Sequence, residues 1–234
     1  MNIWERCLEL LYPNTCCFCG KISKSSRCFA CEKEIEYVKE PVCKICGKPI
    51  LSTEKERCSD CEGKEHFFEQ GKSVWLHKGL VRRSIYQFKY HNRRIYGKYY
   101  AEEMCRLYSE KVEEWGIDVI IPVPLHPKRK RKRGYNQAEV IARYLGKNLQ
   151  LPVDTTCVIR KKNTKPQKLL ANKERKKNMR GVFEVKSIRK EWKNILVVDD
   201  IYTTGSTINE MAKCLTEKDA RKVFFLTISI GQGF

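Results

Sequence analysis

Residues 194–210 read NILVVDDIYTTGSTINE. The apolar run at 194–198 has the length and β-branched composition of a buried strand, while apolar residues from Ile208 onward recur at the spacing of a helix. Between them lie two adjacent carboxylates and a cluster of hydroxyl residues around a glycine. A strand, a turn and a helix in this order are half of a βαβ unit, so the stretch predicts a parallel sheet.

The segments on either side alternate strand and helix patterns in the same way. Because the strands are short continuous apolar runs, the sheet is expected to be parallel and covered by helices on both faces, which is an α/β fold. The ligand site of such a fold lies at the carboxyl ends of its strands. The sequence predicts strands at 71–77, 118–124, 152–159, 181–185, 194–198 and 222–229, and helices at 79–90, 98–114, 136–149 and 206–217.

The turn after the strand at 194–198 is expected to bind a phosphate. Unpaired backbone N–H groups and the partial positive charge of a helix N-terminus favour anions, and Gly205 allows close approach. The two carboxylates cannot bind the phosphate, but they suit the hydroxyl groups of a ribose. An ordinary helix cap explains one Ser or Thr but not the paired acids, and the sequence contains no P-loop pattern. The predicted phosphoribosyl site comprises Asp199, Asp200, Thr203, Thr204, Gly205, Ser206 and Thr207.

Eight of the 13 cysteines form four C-x-x-C pairs near the start of the chain. Four such pairs without a secretory signal are typical of zinc ribbons, in which two pairs complete one tetrahedral site. We expect two structural Zn²⁺ sites, because four thiolates leave no coordination position open for catalysis. The predicted ligands are Cys16, Cys19, Cys28, Cys31, Cys43, Cys46, Cys58 and Cys61.

The cysteine pattern leaves alternatives open. Disulfides are one, although residues 1–13 carry charges within their only apolar region and indicate an amphipathic helix rather than a signal peptide. The pairing order is another, since sequential ribbons are the simplest arrangement but a cross-braced one uses the same ligands. Cys17 is an additional thiol beside the first pair.

Charge is distributed unevenly along the chain. Residues 1–65 contain 11 Lys and Arg and 11 Asp and Glu, whereas residues 66–234 contain 36 and 17, so the whole net charge of +19 lies in the second segment. With the cysteines, this asymmetry predicts a zinc-ribbon domain at 1–65 and an α/β domain at 66–234 that faces phosphates or a polyanion. No apolar stretch is long enough for a bilayer, so a cytoplasmic protein without a membrane span is expected.

Two basic segments flank the predicted site. KRKRKR at 128–133 contains six consecutive cations, and residues 160–180 contain ten Lys or Arg against one acid. A pyrophosphate needs only two or three cations, so the surplus, with tyrosines nearby at 86–100 and 135, favours single-stranded nucleic acid. The alternative is that the segments are solvated loops and the tyrosines are core residues. The predicted DNA-binding residues are Lys128, Arg129, Lys130, Arg131 and Lys132.

VVDDIYTTGST at 197–207 resembles the phosphoribosyl-pyrophosphate (PRPP) motif of type I phosphoribosyltransferases. IPVPLHPKRKRKRGYNQAEVIA at 121–142, the block from Arg160 to Phe183 and the cysteine pairs resemble the ComF family of competence proteins over essentially the whole chain. The resemblance implies a type I phosphoribosyltransferase-like domain. Its loop at 125–136, with Arg133 and Gly134, would wrap the pyrophosphate, and a flexible loop at about 161–180 would close over the site.

The resemblance also implies chemistry and partners. Mg²⁺ would accompany PRPP, and the cations Arg133, Lys165 and Arg175 would stabilise the leaving pyrophosphate during displacement at the anomeric carbon. ComF family members serve DNA uptake in transformation, acting on single strands beside a DNA-translocating helicase. Two hypotheses follow: a competence protein that binds single-stranded DNA and carries a PRPP site, or a PRPP-dependent transferase whose acceptor is not identified.

Overall fold

The computed structural model describes residues 14–164 and 179–231. The helices in these ranges are α1 (Phe29–Glu34), α2 (Gly79–Tyr90), α3 (Tyr96–Glu114), α4 (Pro127–Arg133), α5 (Gln137–Leu149) and α6 (Ser206–Thr216). The strands are β1 (Gln70–Leu76), β2 (Val119–Pro122), β3 (Val158–Arg160), β4 (Phe183–Val185), β5 (Asn194–Tyr202) and β6 (Lys222–Ile230). The helix predicted within 1–13 lies outside the described residues. None of the helices in the described ranges is both long and apolar enough to cross a membrane.

Four strands form one parallel sheet in the order β1-β6-β5-β2. All residues of β2 are buried, and so are all residues of β6 after its first. Strands that are buried on both faces need no polar alternation, which is why they appear in the sequence as continuous apolar runs. The α/β fold with a parallel sheet is therefore confirmed.

Helices cover both faces of this sheet, as the sequence predicts. Successive side chains of a strand point to opposite faces. Leu196 and Val198 of β5 lie in the core formed with α2, α3 and α5. Ile195 and Val197 lie in the core formed with α6. The carboxyl end of β5 is thus held between two helical layers.

The two cysteine clusters pack on opposite faces of the sheet. Cys16 and Cys31 belong to the same core as α2 and α3, and Cys43 and Cys61 belong to the core of α6. Beside the first cluster, Phe18 packs edge-on against Trp75 of β1, with ring centroids 5.5 Å apart. Each cluster therefore adds apolar contacts to one layer of the sheet, as well as supplying thiolates.

The segments predicted as strands at 152–159 and 181–185 do not extend the parallel sheet. They contribute β3 and β4, which form a separate antiparallel pair. Only Val153 reaches the sheet, through a single parallel bridge to Ile120 of β2. Asp154 accounts for the difference, because its Oδ1 accepts the N–H groups of Thr156 and Cys157 at 2.7 and 3.0 Å. This Asx turn ends the extended run after two residues.

Candidate functional site

The turn between β5 and α6 has the backbone expected of a phosphate-binding turn. Gly205 precedes α6 with a φ of 73°, in the left-handed region, and a Cβ at this position would overlap the hydroxyl group of Tyr202. Since glycine offers no side chain to cap them, the first N–H groups of α6 can donate to a ligand. The predicted residues of the turn are contiguous in the structure: Thr203, Thr204, Gly205, Ser206 and Thr207.

Asp199 and Asp200 lie inside β5 and not beyond its tip, because β5 continues to Tyr202. Asp199 pairs with Thr227 of β6 in the register of the sheet. Both carboxylates are partly buried. Asp200 Oδ2 forms an ion pair with Lys89 Nζ of α2 at 2.8 Å. Both residues therefore take part in the packing of β5 against β6 and α2.

Burial sets the electrostatics of the two carboxylates. Together with the charge of Asp200 it raises the pKa of Asp199 to about 7, while the backbone N–H of Asp200 and the charges of Lys89 and Arg160 oppose the shift. Two adjacent carboxylates in a partly enclosed site repel each other, so one of them holds its proton up to neutral pH. Hydroxyl groups of a ligand would relieve this repulsion by donating hydrogen bonds to both.

Three guanidinium groups lie close enough to interact electrostatically, and that of Arg160 also interacts with Asp199. Burial and, after it, the charges of Arg129 and Arg133 lower the pKa of Arg160 to about 10, against the opposing charge of Asp199. Arg160 Nη2 donates to Thr164 Oγ1 at 2.7 Å, and Arg129 donates to the carbonyl of Thr164. Burying several cations this close together costs free energy. A multiply charged anion would offset this cost, so it is the ligand that the arrangement favours.

Arg133 is fixed from two sides. Its Nη1 donates to Gln137 Oε1 at 3.1 Å, and its Nη2 donates to the hydroxyl of Tyr90 at 3.2 Å. Two buried nitrogens beside these cations, Gln137 Nε2 and Arg160 Nε, have no hydrogen-bond partner among the described residues. Unpaired buried donors are costly, so they indicate that the site is completed by an acceptor-rich ligand.

Lys89 and Arg160 were not predicted as site residues from the sequence. Lys89 lies in an amphipathic helix more than a hundred residues before Asp200, and Arg160 ends a strand that belongs to another sheet. No spacing rule connects such positions, because only the tertiary fold brings them together. The sequence did predict a cation-rich site with Arg133 among its cations, but not the contributions of Lys89 and Arg160.

The cationic run at 128–133 is helix α4 rather than the predicted loop. Pro127 begins the helix after His126, whose ring accepts the N–H of Lys128, and Gly134 ends it with a φ of 79°. Four basic residues in the last turn also complement the helix dipole. The helix divides the run: Arg129 and Arg133 are half-buried, while the remaining residues are exposed, namely Lys128, Lys130, Arg131 and Lys132.

The predicted site residues outside the inner cluster have different outcomes. Gly134 is the left-handed residue after α4, and its carbonyl accepts Arg94 Nη2 at 3.2 Å. Lys165 and Arg175 lie outside the described residues, as does most of the predicted closing loop at about 161–180.

The C-x-x-C pairs form two separate four-cysteine clusters. Within each cluster all four sulfur atoms lie within 4.8 Å of one another. Their composition settles the pairing order as sequential: Cys16, Cys19, Cys28 and Cys31 in the first, and Cys43, Cys46, Cys58 and Cys61 in the second. Cys17 belongs to neither cluster; it is buried, and its carbonyl accepts a hydrogen bond from Ser84.

The geometry of the clusters fits zinc. Zinc–thiolate bonds of about 2.3 Å in a tetrahedron place the sulfur atoms about 3.8 Å apart. Cys19 and Cys28 have sulfur atoms 3.8 Å apart, and those of Cys46 and Cys58 are 3.6 Å apart. All eight ligands are thiolate sulfurs, so bound zinc has a structural role in folding this polar segment.

Comparison with known proteins agrees with this architecture. Residues 7–62 match the family model of the double zinc ribbon domain. Competence protein F of Haemophilus influenzae is 29% identical over 86% of this chain and 89% of its own length. Competence protein ComFC of Bacillus subtilis is 26% identical over 82% and 78%. The chain is thus similar to the ComF competence proteins over most of its length. The DNA utilization protein YhgH of Salmonella typhimurium is also similar, at 26% identity over 92% of this chain and 96% of that protein.

The two kinds of match differ in how much of the chain they cover. The double zinc ribbon match includes all eight cluster cysteines. The similarity to the competence proteins spans most of the chain and therefore includes residues of the α/β sheet as well. The two four-cysteine zinc-ribbon sites and the resemblance to the ComF family predicted from the sequence are confirmed.

Proposed function

We propose that this chain acts in DNA uptake or utilisation, and that the carboxyl end of β5 binds the phosphoribosyl group of PRPP. The names of its relatives, competence protein F, competence protein ComFC and DNA utilization protein YhgH, support the first part. One observation carries the second part: two residues separate Asp199 and Asp200 from the glycine turn at 203–207, at the edge of the sheet where ligands of α/β folds bind.

In this proposal the turn binds the 5-phosphate and the carboxylates bind the ribose hydroxyls. Lys89 holds one oxygen of Asp200, which fixes the orientation of that carboxylate toward the ligand. The pyrophosphate would lie against the guanidinium groups, where Gln137 also offers an unpaired donor. Mg²⁺ would be held chiefly by the oxygens of PRPP. The reason is that we assign only two carboxylates to the site, those of the two aspartates, and Lys89 already neutralises one of them.

The exposed cations of α4 are proposed to bind the phosphates of single-stranded DNA. Lys130 is partly neutralised by Glu139 at 3.0 Å. The remaining exposed cations have no ion-pair partner among the described residues: Lys128, Arg131 and Lys132. Lys165 and Arg175, which follow Thr164 in the sequence, are proposed as additional cations for the pyrophosphate and not for the DNA.

A second candidate function is catalytic transfer of the phosphoribosyl group. The half-buried Arg129 and Arg133 and the buried Arg160 favour it, because preorganised cations stabilise a leaving pyrophosphate most when water is excluded. The acceptor of such a transfer is not identified by the described residues.

Isotope tracing of ribose-labelled PRPP separates the two candidates. The zinc-loaded protein is incubated with labelled PRPP, Mg²⁺ and a set of nucleobases, with and without single-stranded DNA. A binding protein leaves PRPP intact in every mixture, whereas a transferase moves the label to one acceptor. Absence of both PRPP binding and DNA binding would overturn the proposed function.

A further inference from the structure

Two tyrosines on α2 form an exposed aromatic pair. The side chains of Tyr86 and Tyr90 are 52% and 47% exposed, and their ring centroids are 4.9 Å apart. The ring of His91 adds a third plane, 5.6 Å from Tyr86. The other aromatic residues of this region are buried: Phe88, Tyr96, Tyr99, Tyr100 and Tyr135. The structure thus separates two surface tyrosines from those that serve the core.

The chain segment that carries this pair is rich in cations and contains no acid. Residues 70–101 contain no Asp or Glu. Arg82, Tyr86 and Tyr90 follow one another at four-residue spacing, so they line one exposed face of α2. The guanidinium of Arg133 lies 5.0 Å from the centre of the Tyr90 ring, which joins this face to the cations of α4. Exposed aromatic rings amid unneutralised cations match the chemistry of single-stranded nucleic acid, whose bases stack while its phosphates bind cations.

We propose that Tyr86 and Tyr90 form the platform on which bases of a single strand stack. The inference rests on the proposed DNA-binding function and identifies where the bases bind. Lys89, three residues after Tyr86 on the same helix, pairs with Asp200. A strand on this platform therefore passes beside the phosphoribosyl site, with its phosphates on Arg82 and on the exposed face of α4.

Tyr86 is the better residue for a test. Tyr90 also holds Arg133 through a hydrogen bond and a cation–π contact, so its loss would disturb the inner site. Tyr86 contacts only the rings of Tyr90 and His91 among the interactions of the described residues. A change at Tyr86 therefore removes stacking surface without removing a charge or a core contact.

The experiment measures the affinity of fluorescein-labelled single-stranded oligonucleotides by anisotropy at several salt concentrations. Tyr86→Leu should weaken binding by about ten-fold to a hundred-fold, with an unchanged salt slope, because stacking is lost while phosphate contacts stay. Tyr86→Phe keeps the ring and should bind like the original protein. Duplex DNA of the same sequence offers no open base faces, so its weaker binding should not change with Tyr86→Leu.

Each outcome decides a different statement. Equal affinity of Tyr86→Leu and the original protein for single strands would overturn the platform while leaving the cationic DNA surface in place. An equal loss for duplex DNA would also overturn it, because it would show a general disturbance of the surface. If the original protein does not bind single strands, the proposed DNA function fails and the platform with it. Calorimetric PRPP titration of Tyr86→Leu should be unchanged.

Discussion

Replacing Asp199 by asparagine should stabilise the protein, and the gain should increase with pH. The pKa of Asp199 is raised from 3.8 to about 7 by burial and by the charge of Asp200. A carboxyl group with a raised pKa binds its proton more tightly in the folded state, so the free energy of unfolding falls as pH rises from about 4 to about 7. Asparagine has a similar shape and does not ionise, so the variant avoids this cost.

The expected magnitude follows from the size of the shift. Each unit of pKa difference corresponds to about 1.4 kcal/mol. The advantage of Asp199→Asn should therefore be about 2 kcal/mol at pH 5.5 and about 4 kcal/mol at pH 8, as upper values, and constant above that. For a chain of this size 1 kcal/mol shifts Tm by about 2–4 °C, so the Tm advantage should grow by about 4–8 °C between the two pH values.

Lys89→Met is the matched variant with the opposite sign. It leaves Asp199 and Asp200 without their shared cation, so it should lower Tm, and more strongly at pH 8 than at pH 5.5. Differential scanning fluorimetry of the zinc-loaded proteins across this pH range measures both. A Tm advantage of Asp199→Asn that is absent, or that is the same at pH 5.5 and pH 8, would refute the raised pKa of Asp199.

Three further predictions concern the metal, the turn and the cations. Elemental analysis should find about two Zn²⁺ per chain; Cys16→Ser should lose one, whereas Cys17→Ala should keep both because Cys17 is outside the cluster. Gly205→Ala should weaken PRPP binding at least ten-fold by calorimetry, because a Cβ there meets Tyr202 and the φ is positive. Replacing three exposed cations of α4 by Gln should lower the salt slope of single-strand binding by about 2; the residues are Lys128, Arg131 and Lys132.

Each of these predictions has a control within the chain. Gly63→Ala has a comparable positive φ but open space around the new Cβ, so it should leave PRPP binding unchanged. A triple replacement before and at the start of β6 removes the same charge at the opposite edge of the sheet and should leave the salt slope unchanged: Lys218, Arg221 and Lys222. Zinc loss from Cys17→Ala would contradict the assignment of the first zinc site. Equal PRPP binding by both glycine variants would contradict the role of the turn. Equal salt slopes for both triple variants would contradict DNA binding by α4.

Most of the fold could be predicted from the periodic spacing of apolar residues. The helix predicted at 79–90 is α2 with the same bounds, and the helix predicted at 136–149 differs from α5 by one residue. Both helices bury one face, so their apolar residues recur in the sequence at helical spacing. The glycine turn was equally predictable, because a positive φ at a close approach restricts the residue type. The division of the chain at residue 65 stays a prediction.

Features that depend on distant partners could not be predicted. β5 continues past its apolar run because Asp199 and Tyr202 still pair with β6, and pairing leaves no mark in the residues of one strand. α4 forms despite six like charges because its end residues cap it and Arg129 bonds to the carbonyl of Thr164. Lys89 could not be predicted as a site residue for the same reason: its partner is set by the packing of α2 on the sheet.

Calorimetric titration of PRPP into the zinc-loaded protein with Mg²⁺ tests the central claim most directly. The account predicts one PRPP per chain for the original protein and no detectable binding when Asp199→Asn and Asp200→Asn are combined, because the ribose hydroxyls lose both carboxylates. Retained zinc and a cooperative thermal transition in the double variant would exclude unfolding as the cause. PRPP binding of unchanged affinity in a folded double variant would contradict the assignment of the phosphoribosyl site.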